Sequence, residues 1–180
     1  AYSTAEAVRA IRAIEPFGVD LAEQPIRATD FVGMARVQQS VKTPMIAHEG
    51  SFSLQDIVTL VELGAVQVVG VNSERPGGVT NALRAISYAE QRGLGIVLHN
   101  QPLGIASAMQ VHLAAARYHA LGHAIELFGH VMMEDDLIVE PLDYSGGTVT
   151  VPSAPGFGVE LDEDALAKYA LSSSVVLEVQ

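Results

Sequence analysis

Pro44-Met45-Ile46-Ala47-His48-Glu49-Gly50-Ser51-Phe52-Ser53 is an apolar run that ends in polar residues, passes through a short loop and reaches a helix start. Ser53 stands where an N-cap is needed, Ile57, Leu60 and Val61 follow at helical spacing, and Gly64 comes just past the last turn. The stretch is therefore one strand, one loop and one amphipathic helix. Outward from it the same unit recurs. Val19-Asp20-Leu21-Ala22-Glu23 lies upstream, and Val68-Val69-Gly70-Val71-Asn72, Gly95-Ile96-Val97-Leu98-His99 and Ala124-Ile125-Glu126 lie downstream. The runs end at Glu23, Glu49, Asn72, His99 and Glu126, separated by 26, 23, 27 and 27 positions. Repeated βα units of this length build a parallel sheet, often a barrel, with the chemistry at the C-terminal ends of the strands. Carboxylates, an amide and an imidazole in those positions read as an active-site lining.

The intervening segments carry helix signals. Ala7, Val8, Ile11 and Ile14 share a helical face behind Ser3 or Thr4 as N-cap, and Pro16 and Gly18 end that helix. Thr29 or Asp30 caps a second helix, and others are expected over roughly 79–91 and 105–119. The last of these is rich in small residues, Ala106, Ala108 and Ala114 to Ala116. The organisation changes after residue 130. Glu134-Asp135-Asp136 is an acidic loop, and Tyr144-Ser145-Gly146-Gly147-Thr148 suits a hairpin turn. Asp162-Glu163-Asp164 opens a short C-terminal helix with acids at its positive end. Five strands cannot close an eight-stranded barrel. The α/β pattern fits either an open five-stranded sheet or part of a larger barrel.

Composition narrows the function classes. The chain has 180 residues, a formal net charge of −11 and no cysteine. The charge argues against bulk binding to nucleic acid or to an anionic membrane. The lack of cysteine excludes disulfides and thiolate metal sites, and fits a cytoplasmic protein. No apolar run approaches the length of a membrane span. Ala1-Tyr2-Ser3-Thr4-Ala5-Glu6 lacks the basic start and apolar core of a signal peptide.

The order of several short motifs resembles the enolase superfamily, in particular its mandelate racemase and muconate-lactonizing branches. The motifs are Leu21-Ala22-Glu23-Gln24-Pro25, Pro44 to Gly50, Gly77-Gly78-Val79-Thr80, Glu126-Leu127-Phe128-Gly129, Glu140-Pro141-Leu142 and Pro155-Gly156-Phe157-Gly158-Val159. The resemblance implies a partial (β/α) TIM-type barrel, with residues 1–180 as one domain forming its C-terminal portion. It also implies that the capping domain, the first barrel strands, the first metal-binding Asp and the catalytic Lys-x-Lys motif lie outside this segment. Family members hold Mg²⁺ with carboxylates, remove a proton next to a substrate carboxylate and stabilise the resulting enediolate.

Carried onto this chain, the resemblance makes Glu23 a metal ligand. Strand alternation allows only one of His48 and Glu49 to face the site, and imidazole suits Mg²⁺ poorly, so Glu49 is the expected third ligand, after the Asp outside this segment and after Glu23, and His48 is expected to point elsewhere. His99 falls where mandelate racemase-like enzymes carry a general base. Asn72 replaces its expected Asp or Lys partner and is left to orient His99 or bind substrate, and Glu126 matches a last-strand acid. His99-Asn100-Gln101-Pro102-Leu103-Gly104, with Glu49, resembles acid-sugar dehydratases, while the tail resembles muconate cycloisomerases. The parent reaction is accordingly expected to be Mg²⁺-dependent α-proton abstraction from a small-molecule carboxylate, dehydratase-like, with cycloisomerisation as the alternative. A second alternative is an inactive fragment. Its unpaired sheet edges would favour a homo-oligomer or association with the missing N-terminal part.

Overall fold

A computed structural model describes residues 1–100 and 103–171, with only the backbone at Asn100. Gln101 and Pro102 of the dehydratase-like stretch lie outside the described residues. Among the described residues six α-helices alternate with or follow five strands: α1 (Thr4–Ile14), β1 (Ala22–Glu23), α2 (Phe31–Ser40), β2 (Met45–Ala47), α3 (Leu54–Glu62), β3 (Val68–Val71), α4 (Val79–Gln91), β4 (Gly95–Asn100), α5 (Gly104–Ala116), β5 (Glu126–Leu127) and α6 (Glu163–Tyr169). The sheet order is β1-β2-β3-β4-β5, and β1–β2, β2–β3 and β3–β4 are parallel pairs. The fold is α/β with the sequential topology of a partial barrel. Among the described residues no helix is long and apolar enough to cross a membrane.

Local chemistry sets the helix starts. Ser3 and Glu6 close a capping box on α1, and Ser53 and Asp56 close another on α3, each satisfying two otherwise orphan N–H groups. The Asp30 side chain accepts the Gly33 N–H at 2.8 Å and starts α2. Arg12 donates two hydrogen bonds to the Ser40 carbonyl, placing a cation on the carbonyl end of α2. The strands are shorter or shifted against their apolar runs. β1 keeps two residues, β2 stops before His48, β3 stops before Asn72, and β4 continues one residue past His99.

Two compact units divide the chain. The first joins Ala1–His99 to Arg117–Glu126, and the second joins Asn100–Ala116 to the segment from Leu127 onward. In the first, every residue of β2 and β3 is buried, as expected of parallel strands covered on both faces. Ile46, Val68 and Val97 cluster with Leu21 on one face. Met34, Val37, Ile57, Leu60 and Ile86 supply helix side chains to the core. Burying each of these is worth about 1.5–3 kcal/mol before conformational entropy is counted.

The second unit departs from the expected hairpin. Ser145–Gly147 form a 3₁₀ turn, with Gly146 at φ 70°, and no strand is present on either side. The Asp143 carboxylate takes both the N–H and the hydroxyl of Ser145, so the turn closes on a side chain rather than on paired strands. The antiparallel contact lies farther apart in sequence, between Ile138 and Leu161. Beyond it, Asp162 caps α6 as expected.

Candidate active site at the strand ends

Side chains two apart on a strand share a face. Leu21 therefore places Glu23, Ile46 places His48, Val68 places Gly70 and Asn72, and Val97 places His99, all on the side of the Leu21, Ile46, Val68 and Val97 cluster. The pairing register, Glu23 with Ile46, Ile46 with Val68 and Gly70 with Val97, lines these positions up across the sheet. The polar residues thus sit one step beyond an apolar layer, at the C-terminal edge.

His48, not Glu49, is the residue of its pair that turns inward, which corrects the expectation. Its side chain is 8% exposed, and its Nδ1 lies 3.0 Å from Glu23 Oε1. The Glu49 side chain is 57% exposed and reaches only the same Nδ1, at 3.5 Å. The backbone fixes this choice. Gln24 Oε1 accepts the His48 N–H at 3.2 Å and the Gly50 N–H at 3.0 Å. Arg75 Nη1 donates to the His48 carbonyl at 2.7 Å, and the buried Ser51 hydroxyl bridges toward the His48 and Gly70 carbonyls. Gln24, Ser51 and Arg75 were not singled out as site residues from the sequence.

His48 meets His99 across β3, with ring centroids 3.7 Å apart and planes tilted by 49°. Gly70 makes the approach possible. A Cβ there would lie 2.9 Å from the Ala47 carbonyl oxygen and 3.7 Å from His48 Cδ2. His99 is 7% exposed, and its Nε2 lies 3.0 Å from Glu126 Oε2. The charged partner of His99 is therefore Glu126, on the neighbouring strand. Asn72 is also buried, and its Oδ1 has no hydrogen-bond partner among the described residues.

The electrostatics follow from this crowding. Desolvation and the neighbouring His48 ring hold the His99 pKa below its ordinary value, outweighing the pull of Glu126 and Glu23 in the other direction. The hydrogen bond from His48 holds the Glu23 carboxyl below the usual range. A Glu23 oxygen and one ring nitrogen from each of His48 and His99 lie within 4.8 Å of one another, close enough to share a metal ion. The arrangement can take up and return a proton at an imidazole backed by a carboxylate, and can hold a cation.

The family model described as enolase C-terminal domain-like matches residues 1–165. Muconate cycloisomerase 1 of Pseudomonas putida is 28% identical over 169 residues, covering 94% of this chain and 45% of the relative. The L-Ala-D/L-Glu epimerase of Clostridium acetobutylicum is 32% identical over 158 residues, covering 86% and 44%. The crystal structure of muconate cycloisomerase from Pseudomonas fluorescens superposes with a TM-score of 0.86 at 31% identity, over 96% of this chain and 48% of that one. The chain thus spans about half the length of the relatives it matches.

Proposed function

The chain belongs to the enolase superfamily, through its enolase C-terminal domain-like segment, and on that premise we propose that it carries the proton-transfer edge of an enzyme that removes the proton α to a substrate carboxylate. The observation that carries this is the His99–Glu126 pair, at 3.0 Å, beside the Glu23–His48 pair. Burial and the second ring keep His99 neutral at neutral pH, the state in which an imidazole accepts a proton. Glu126 then faces the imidazolium as it forms and steadies it. Glu23 holds His48 in place, and Asn72 offers a buried carbonyl oxygen toward substrate.

Mg²⁺ is the ion the family implies, and it favours an octahedron of hard oxygen donors. Glu23 suits it, and Glu49 would be the next oxygen donor. The side chains gathered at the strand ends instead present one carboxylate and two imidazoles. That set does not fit Mg²⁺, and none of the proton-transfer roles above depends on it.

The relatives named above favour cycloisomerisation or epimerisation as the outcome. Acid-sugar dehydration is the second reading, favoured by the carboxylate-backed imidazole on the β4 strand end. We also propose that further barrel strands or a second copy cover the β1 and β5 edges, which sedimentation would show as an assembly larger than the monomer. The function is tested by incubating the purified protein in D₂O, with and without Mg²⁺, with L-Ala-L-Glu, muconolactone or an aldonic acid. Loss of the α-proton NMR signal of one of these acids, abolished by His99→Ala, is expected. Unchanged exchange in His99→Ala, or exchange of none of the three acids, would overturn the proposal.

A further inference from the structure

We propose that Glu23, His48 and His99 form a binding site for a divalent cation of the zinc class, not for magnesium. The three donors lie within 4.8 Å of one another. In a tetrahedral zinc site, with bonds of about 2.0–2.2 Å, neighbouring donors lie about 3.3–3.6 Å apart. Small side-chain rotations close the difference, and two imidazoles with one carboxylate leave a fourth position open.

Burial gives the site its second support. His48 is 6% exposed and its Nε2 is buried without a hydrogen-bond partner among the described residues. Its Nδ1 lies 3.0 Å from Glu23 Oε1, so the ring nitrogen and the carboxylate oxygen already stand side by side, and an ion bound between them takes the place of the shared proton. Charge also favours a cation. Glu23, Glu49 and Glu126 contact the two rings, against the guanidinium of Arg75 held on the His48 carbonyl among the described residues. Imidazole nitrogens favour zinc, cobalt or nickel, whereas magnesium takes oxygen donors and gives up its water reluctantly.

The inference shares His99 with the proton-transfer proposal but sets the two in opposition. A ring nitrogen that binds the ion cannot accept a proton, so zinc-class ions inhibit proton transfer at this site.

The test uses the purified protein stripped of metal with a chelator. Ring-nitrogen NMR of the histidines is followed while Zn²⁺ is added, and Co²⁺ absorption gives an independent readout. The expected result is that His48 and His99 ring nitrogens shift together at one equivalent of Zn²⁺ while His119 does not. Co²⁺ should develop visible bands that Zn²⁺ displaces and a hundredfold excess of Mg²⁺ does not. Glu23→Gln, which keeps the side-chain volume, should weaken Zn²⁺ binding at least about tenfold. Unmoved ring nitrogens of His48 and His99 at saturating Zn²⁺, or displacement of Co²⁺ by Mg²⁺, would overturn the site. Both readouts are independent of turnover, so a failed metal site and a failed proton-transfer proposal are told apart: the D₂O exchange assay reports only on the latter.

Discussion

Two polar clusters in this chain have almost the same closest contact and opposite surroundings. At the strand ends, His48 and His99 are buried, and each contacts a carboxylate at 3.0 Å. In the tail, Lys168 contacts Asp135 at 2.9 Å, with Glu134 at 3.9 Å and the Tyr169 hydroxyl also bonded to Asp135, all near solvent. The tail cluster has every mark of a stabilising ion network on paper, but water screens it and competes for each bond. The strand-end cluster is built from weaker charges, but water is largely excluded from its rings, so each missing or added proton is felt. Burial, not contact distance, separates the candidate site from a solvated loop.

The largest expected effect is on catalysis. His99→Ala should lower α-proton exchange by about two to four orders of magnitude, the usual worth of a general acid or base. Asn72→Ala should cost less, because an amide supplies no charge. Steady-state rates from the D₂O assay check both, and equal losses would break the distinction between the proposed base and its neighbour.

Gly70→Ala should disturb the strand-end cluster without removing any polar group. The new Cβ meets backbone at 2.9 Å, so β2 and β3 must shift. A loss of about 1–3 kcal/mol in denaturant unfolding is expected, together with a change in the ring NMR signals of His48 and His99. An alanine that leaves both unchanged would show that the rings do not need the glycine.

The pH response should separate the clusters next. His99 has its folded-state pKa below 6.5 and Glu23 has its own below 4.5, so the folded protein binds fewer protons than the unfolded chain. Their contribution is present above about pH 6.5 and is lost as pH falls through the lowered folded values. Asp135 is likewise depressed, first by Tyr169 and then by Lys168, but from 3.8, so its contribution is lost only in stronger acid. Chemical denaturation of the chelated protein across pH 4–8, compared with His99→Gln, checks the first window. A His99→Gln profile as steep as the parent's would contradict it.

The smallest effect should come from the tail. Hydrogen bonding to Tyr169 and Asp135 raises the Lys168 pKa, so its charge persists through neutral pH, yet its surroundings are solvent. Lys168→Ala should leave the denaturation midpoint within experimental scatter, and should leave the D₂O exchange rate unchanged. A clear drop in either would show that the exposed network matters more than its solvation implies.

The sequence by itself determined the order of elements, because helix caps and hydrophobic periodicity act between residues only a few positions apart. Ser3, Asp30, Ser53 and Asp162 mark helix starts in the chain and cap helices in the structure. Period-two alternation likewise fixes which strand residues share a face, and counted from Ile46 it would have chosen His48 over Glu49. That choice needed to know which face Ile46 occupies, which only its packing with Val68 and Val97 decides. The tertiary structure also paired His99 with Glu126, brought the His99 ring against His48 across Gly70, and held His48 by Gln24, Ser51 and Arg75. Apart from the Ser51 bond to His48, three positions away, these contacts join residues 19 to 51 positions apart. Strand register and the space left by a missing side chain set them, and neither is written in any local stretch of the chain.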